Sequence, residues 1–369
     1  MRIAQVAPLY ESVPPKLYGG TERVVSYLTE ELVRQGHDVT LFASGDSTTA
    51  AKLISPCSRS LRLDGGSVDP LSYHLMLVDQ VFERTDDFDV IHFHTDYLSF
   101  PVSRWRPAPH VTTLHGRLDL QNLPSLYRRF RREPVISISD AQRSPLPWLN
   151  WQGTVHHGIP TDLHAFHPRS GDYLAFVGRI SPEKRLDRAI EIAVRCGRTL
   201  KIAAKVDAAD QKYFEEVIRP LLGQPGVEFI GEIGEREKDD LMGNACALLF
   251  PIDWPEPFGL VMIESMACGT PVVAWRAGSV PEVITEGITG VICESVEEAA
   301  QAVEGISQID RTGCRQVFEN RFSADRMAKE YVKSYEQIIA KTPQEEVLQN
   351  GRDHSGPGAV LHPGNIVTH

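Results

Sequence analysis

Residues 254–273 read "WPEPFGLVMIESMACGTPVV", a turn running into a helix and on toward a strand. Pro257 and Gly259 make the turn, and the apolar run after them predicts a helix starting close to Leu260, with its first backbone N–H groups unpartnered within the helix. Glu256 then stands just ahead of the helix and Glu264 lies within it, about 80° around the axis, so both carboxylates can face one cleft. Carboxylate oxygens accept hydrogen bonds, which suits paired vicinal hydroxyls of a sugar or ribose better than a metal. The plain alternative is a surface helix with solvated acids.

Outward from this stretch, short apolar runs alternate with helical patterns, the signature of parallel sheets covered by helices. A first series of candidate strands is "RIAQVA", "DVTLFA", "VIHFH", "HVTTL", "PVISI" and "GTVHH"; a second is "YLAFVG", "TLKIAA", "VEFIGE", "CALLFP", "PVVAW" and "GVICE". The fold class expected is therefore α/β, with two doubly wound Rossmann-like units facing a central cleft. The first unit covers 1–168 and the second 169–321. An amphipathic terminal helix (322–341) could pack back on the first unit. The remainder, 342–369, lacks periodicity and reads as disordered. Ser181-Pro182 and Ser295-x-x-Glu298 look like helix starts, an N-cap before a proline and a capping box.

Within the first unit, "KLYGGTERVVSYLTEEL" (Lys16–Leu32) places Gly19 and Gly20 before a helix whose Val24, Val25, Leu28 and Leu32 form one apolar stripe. In the second, Gly178-Arg179-Ile180-Ser181-Pro182-Glu183-Lys184 follows a strand. It gathers two cations near a helix start, an arrangement suited to a diphosphate. The bland reading of that loop is charges paired with Glu183 and Asp187.

Charge and composition exclude other classes. With 38 basic and 49 acidic residues the net charge is −11, which argues against nucleic acid as a partner. The six cysteines are scattered without a Cys-x-x-Cys, as expected for free thiols in the cytoplasm. No apolar run approaches the ~20 residues of a membrane span, so a soluble protein is expected. His92, His94, His156 and His157 bracket two strand ends but match no zinc spacing, and no metal or other cofactor is expected. The segment "YRRFRREP" puts Arg128, Arg129, Arg131 and Arg132 around Phe130. It is either a solvated helix face or a patch for an anionic acceptor or peripheral membrane contact; Trp148 and Trp151 lie nearby in sequence.

The ordered set "GGTERVVSYLTEELVRQGHDV", "TLHG", "FVGRISPEKRLDRAI" and "PEPFGLVMIESMACGTPVVA" resembles the retaining nucleotide-sugar glycosyltransferases of family 4 (glycosyl transferases group 1), which have the GT-B fold, over residues 1 to about 340. The resemblance implies that Arg179 and Lys184 hold the donor diphosphate and that Glu264 accepts from ribose hydroxyls. Glu256, with the backbone N–H groups of Phe258, Gly259 and Leu260, would hold the transferred sugar. From the other unit His115 would contact that sugar near the reacting carbon, while Gly19 and Gly20 would let the backbone approach the diphosphate. His115 and Glu256 are thus the catalytic candidates. The function implied is metal-independent, retaining transfer of a hexose from a nucleoside diphosphate sugar to an unidentified hydroxyl acceptor. UDP-glucose is the first choice of donor and GDP-mannose the next. Rival functions are a GT-B nucleotide-sugar epimerase and a non-catalytic sugar-nucleotide-binding regulator. A nicotinamide-dependent dehydrogenase would need a Gly-x-Gly-x-x-Gly after its first strand, which this chain lacks. The chain also departs from the family: "VHHGIPTD" stands where Pro-Asn-Gly-Val-Asp is usual, with His157 for asparagine, Pro160 for aspartate, and Gly158 expected to keep the turn.

Overall fold

The computed structural model describes residues 1–16, 19–63 and 69–342. Apart from Thr342, the tail expected to be disordered lies outside the described residues. Among those described, the first sheet contains β1 (Arg2–Val6), β2 (Asp38–Phe42), β3 (Lys52–Ile54), β4 (Val90–Phe93), β5 (His110–Thr113), β6 (Val135–Ser137) and β7 (Trp151–Thr154). Its spatial order is β3-β2-β1-β4-β5-β6-β7, with every neighbouring pair parallel. The second contains β8 (Leu174–Ile180), β9 (Leu200–Val206), β10 (Val227–Gly231), β11 (Ala247–Phe250), β12 (Val272–Trp275) and β13 (Gly290–Cys293). Its order is β10-β9-β8-β11-β12-β13, again parallel. In each, the order reverses beside the first strand, and the carboxyl ends next to that reversal are where α/β sheets open a ligand crevice.

Strand alternation sorts the side chains of the first sheet. Ile3, Val39, Val90 and Val111 pack under the helices Gly20–Arg34 and Ala324–Lys341, whereas Ala4, Val6, Ile91 and Phe93 pack with Leu77, Val78 and Val81 of the helix Pro70–Phe82 on the opposite face. The terminal helix follows the second sheet in the chain yet buries Met327, Tyr331, Tyr335 and Ile338 against the first. Each such side chain contributes about 1.5–3 kcal/mol of burial, enough to hold the two halves together through this return. Ser323 caps the helix, its hydroxyl accepting from the Arg326 N–H at 3.4 Å.

Several local expectations need correction. β3 is absent from the sequence reading, because three half-exposed edge residues carry no alternation. β7 ends at Thr154, so His156 and His157 lie beyond the strand. Ser181 does not cap a helix with its side chain: Pro182–Lys184 make a single 3-10 turn, Arg185 takes a left-handed conformation (φ 52°, ψ 50°), and the α-helix begins at Leu186. Ser295 does cap, accepting from the Glu298 N–H at 3.1 Å, but the Glu298 carboxylate returns to the N–H of Glu294 (2.8 Å) rather than closing the box on Ser295. Gly158 is not a turn glycine. A Cβ there would lie 2.3 Å from the Ser323 carbonyl oxygen, so this is where the backbone passes against the start of the terminal helix.

Candidate active site

The carboxyl ends of the two sheets enclose a cavity of about 520 Å³, within the range of small-molecule sites. All ten sequence-predicted residues, Gly19, Gly20, His115, Arg179, Lys184, Glu256, Phe258, Gly259, Leu260 and Glu264, line it.

On the second-domain wall the turn before the helix Leu260–Ala267 is set by Gly259 at φ 82°. That is a left-handed conformation costly for a side chain, and a Cβ would also meet the Met262 methyl at 2.8 Å. Glu256 is fixed from behind. Its carbonyl accepts from the Ser279 N–H at 2.9 Å, the Ser279 hydroxyl donates to the Phe258 carbonyl at 2.8 Å, and a Cβ on Gly278 would lie 2.3 Å from the Glu256 backbone. The Glu256 carboxylate pairs with the Lys184 ammonium and accepts from Trp254 Nε1 at 3.1 Å. Lys184 lies over the Trp254 ring at 4.9 Å, an added attraction for the cation.

Arg179 donates to Glu183 at 2.7 Å and has Asp207 and Asp210 at 3.6 and 3.8 Å. Asp187 pairs instead with Arg185 at 2.8 Å. Glu264 accepts from Lys238 Nζ at 2.8 Å and from Arg23 Nη1 at 3.4 Å. Burial would raise its pKa, but the charges of Lys238 and Arg23 outweigh burial and bring it to about 2. Arg23 also pairs with Glu235, so this guanidinium of the first domain reaches across the cleft to the second.

The first-domain wall is different. Gly20 has open space where a Cβ would stand, while Gly19 is packed on Pro15, 2.8 Å from a would-be Cβ. Gly19 is thus kept small by the Pro15 ring packed against it. His115 follows β5, takes a 2.8 Å hydrogen bond with His94, and stacks on His157 at 5.3 Å between ring centroids. Burial lowers its pKa to about 3, so the ring is neutral at working pH. His157, the residue that departs from the family pattern, is wedged between His115 and Phe258 (4.9 Å).

The four histidines weighed as metal ligands do not converge. His92 bonds Tyr335 and Thr113, His94 bonds Gln5 and His115, and His156 bonds Glu282 at 3.1 Å. The groupings of metal-type ligands among the described residues, His164 with Asp239 and Cys268 and His164 with Glu235 and Glu264, contain none of the four. In the first of these, one Asp239 oxygen already accepts from Ala165 N–H, His164 and Cys268.

Comparison with known proteins agrees with this two-walled geometry. Residues 18–145 match the family described as Glycosyltransferase Family 4, and residues 165–316 match Glycosyl transferases group 1. The chain belongs to the family 4 (group 1) glycosyltransferases. It is 26% identical over 363 residues to a glycogen synthase of Mycobacterium tuberculosis, covering 84% of this chain and 86% of that one. It is 28% identical to a GDP-mannose-dependent α-(1-6)-phosphatidylinositol dimannoside mannosyltransferase of the same species, covering 83% and 87%. The structure of HepE from Anabaena in complex with UDP-glucose superposes with a TM-score of 0.71 at 18% identity, over 91% of this chain and 100% of that one, and shares the GT-B fold.

In this glycosyltransferase the cleft residues that sequence reasoning missed include Arg23 and Lys238, the two cations on Glu264. Arg23 sits in the quoted "GGTERVV", one turn after the glycines, and that position was the available signal; Lys238, in the helix Glu235–Gly243, offered none. Trp148 and Trp151 do not line the cavity. Arg128 lies over Trp148 at 5.8 Å, and Trp151 donates to the Leu146 carbonyl at 3.0 Å. Arg128, Arg129, Arg131 and Arg132 are exposed. Among the described residues no helix is long and apolar enough to cross a membrane.

Proposed function

We propose that this glycosyltransferase is a metal-independent, retaining hexosyltransferase that takes its sugar from a nucleoside diphosphate donor, UDP-glucose first and GDP-mannose second, and passes it to a hydroxyl acceptor. The observation that carries the proposal is the convergence of Arg179, Lys184, Glu256 and Glu264 on one wall with His115 on the other around a single cavity. The donor choice draws on the UDP-glucose in the HepE structure and on the GDP-mannose dependence named for the mannosyltransferase relative.

In this mechanism Arg179 and Lys184 exchange their carboxylate partners for the donor diphosphate, Arg179 as a fork and Lys184 as a point charge. Glu264 exchanges its cations for the ribose hydroxyls. As the bond from the anomeric carbon to the diphosphate oxygen breaks, the two cations stabilise the departing charge, and Glu256 with the N–H groups at Phe258 to Leu260 holds the sugar hydroxyls. The acceptor oxygen attacks from the side the diphosphate leaves, and its proton passes to a diphosphate oxygen, so configuration is retained. Glu256 positions and stabilises without forming a covalent bond. The exposed arginines 128–132 suit an anionic acceptor or a peripheral membrane surface, and the six free cysteines fit the cytoplasm.

The test is proton NMR of donor turnover in chelator, with water as the default acceptor. The α-hexose appearing first from an α-linked donor supports the proposal. First appearance of the β-anomer contradicts retention, and conversion of intact donor into its epimer would identify an epimerase instead.

A further inference from the structure

Outside the donor cavity, two histidines, an aspartate and a cysteine meet. His164 and His167 lie in the segment between β7 and β8, Asp239 is in the helix Glu235–Gly243, and Cys268 closes the helix Leu260–Ala267. Asp239 is the hub. Its Oδ1 accepts from His164 Nδ1 at 3.2 Å and from the Ala165 N–H at 3.0 Å, with Cys268 Sγ at 3.6 Å, while its Oδ2 has His167 Nε2 at 3.5 Å. A nitrogen of His164, an oxygen of Asp239 and the Cys268 sulfur all lie within 4.8 Å of one another. His164 is 2% exposed and Cys268 is fully buried.

As hydrogen bonds alone this arrangement is poorly satisfied. Three donors crowd Oδ1, and an oxygen has two lone pairs to offer them. His164 spends its ring hydrogen on Asp239, so its Nε2 is a bare lone pair; that atom and His167 Nε2 are buried without a hydrogen-bond partner. Carboxylate oxygens of Glu235 and Glu264 stand within 4.8 Å of a nitrogen of the same His164 ring, a setting that suits an N–H better than a lone pair.

A zinc ion resolves each of these defects. Its bonds of about 2.3 Å to sulfur and about 2.0–2.2 Å to nitrogen or oxygen set tetrahedral ligands about 3.3–3.6 Å apart; Asp239 stands 3.2, 3.5 and 3.6 Å from the other three. Thiolate and imidazole ligands favour zinc over magnesium or calcium. One thiolate and one carboxylate neutralise the divalent charge, as burial requires. Ligation through Nδ1 moves the His164 proton to Nε2, where a carboxylate serves as the outer partner of a metal-bound histidine. The Zn–S bond replaces S–H, and that proton leaves to solvent. Gly243 leaves room for His167, since a Cβ there would lie 2.3 Å from the ring. The His167 and Asp239 side chains, 20% and 19% exposed, form the way in.

We infer that His164, His167, Asp239 and Cys268 form a zinc site that clips the helix bearing Lys238 to the helix bearing Glu264. Lys238 adjoins Asp239 in the chain, and the Cys268 N–H donates to the Glu264 carbonyl at 3.2 Å. None of the four ligands lines the donor cavity, so the clip stands apart from the transfer chemistry. The metal-free chain already gathers the four groups around Asp239, and zinc tightens a site that exists without it.

The experiment is titration of untagged, chelator-stripped, reduced full-length protein with cobalt(II) and then zinc, read by absorption, with urea midpoints on the same samples. Wild type is expected to bind one cobalt per chain with a near-ultraviolet thiolate charge-transfer band that zinc bleaches, and zinc is expected to raise its urea midpoint. Histidines elsewhere give no thiolate band. Cys268→Ser is expected to lose both the band and the zinc-induced rise, whereas Cys196→Ser, outside the site, keeps them. His167→Gln, at the open edge, is expected to bind cobalt at least about tenfold more weakly, and it decides the matter even where Cys268→Ser fails to fold. A wild type without the band, a band that persists in Cys268→Ser or vanishes in Cys196→Ser, or wild-type affinity in His167→Gln overturns the inference. A zinc-induced rise of equal size in wild type and Cys268→Ser overturns the clip.

Discussion

On the first-domain wall His115 and His157 are neutral rings stacked on each other and backed by further hydrogen bonds between neutral groups, and the charged Lys16, Arg23 and Arg117 line the cavity beside them. On the second-domain wall stand Arg179, Lys184, Lys238, Glu256 and Glu264, each held by an opposite charge. A wall of paired charges can release them to a diphosphate and a ribose, because what it loses in protein ion pairs it regains in ligand ones. Neutral rings at His115 and His157 can face a sugar whose anomeric carbon becomes cationic without adding charge of their own. Under the proposed function, binding falls to one side and orientation of the reacting sugar to the other.

The largest effect expected from breaking this division is on the charged side. Glu256→Ala and Lys184→Ala each remove one half of a pair at the reacting end, and kcat should fall by about 10²–10³-fold, measured as donor turnover. Wild-type kcat in both would remove the second wall from the chemistry. Next, Arg179→Ala should weaken donor binding by about 10- to 100-fold, the worth of a charge-assisted bond, and should flatten the loss of affinity with added salt. An unchanged salt dependence would show that Arg179 does not meet the diphosphate.

The strand–turn–helix segments that carry the site were legible because each is contiguous. Pro257, Gly259 and the apolar run after them dictate where the Leu260 helix begins, and with it the separation of Glu256 and Glu264. Arg179 and Lys184 leave one strand end together. What stayed hidden is whatever pairs across the chain: Arg23 meets Glu264 from 241 residues away, and His92 meets Tyr335 from 243. Gly278, which backs Glu256, reads as an ordinary loop glycine until the two backbones are seen in contact. Ser181 misled because local cap chemistry was overruled by the left-handed Arg185 that follows it.

The neutral histidines predict how the fold responds to acid. His92, His94 and His157 have folded-state pKa values held by burial well below the usual 6.5, so below about pH 6.5 the unfolded chain binds protons that the native state refuses. Their stability is present above that pH and is lost as pH falls through it, at about 1.4 kcal/mol per pH unit for each ring. Glu264, lowered from 4.5 to about 2, has the contribution of an ionised carboxylate, lost only as pH falls from about 4.5 toward 2. Urea midpoints across pH 7.5–5 should therefore drop first on account of the histidines, and His157→Asn should reduce the slope by about one proton. A flat profile over that range would contradict the neutral histidines. The smallest effect concerns the bridge between the walls. Arg23→Ala leaves Glu264 paired with Lys238 and should cost about 1 kcal/mol in the same urea experiment, whereas a loss several times larger would mean that the two halves depend on this pair.

Calorimetric titration with UDP-glucose, UDP-galactose, UDP-N-acetylglucosamine, GDP-mannose, ADP-glucose and NAD, in chelator, tests the central claim most directly when wild type is compared with Glu264→Gln. The amide keeps the volume while removing the charge that ribose hydroxyls would meet. Binding of one nucleotide sugar without metal, weakened about 10-fold or more in the variant, is the predicted result. Silence toward every nucleotide sugar, preference for NAD, or equal affinity in wild type and variant would contradict it.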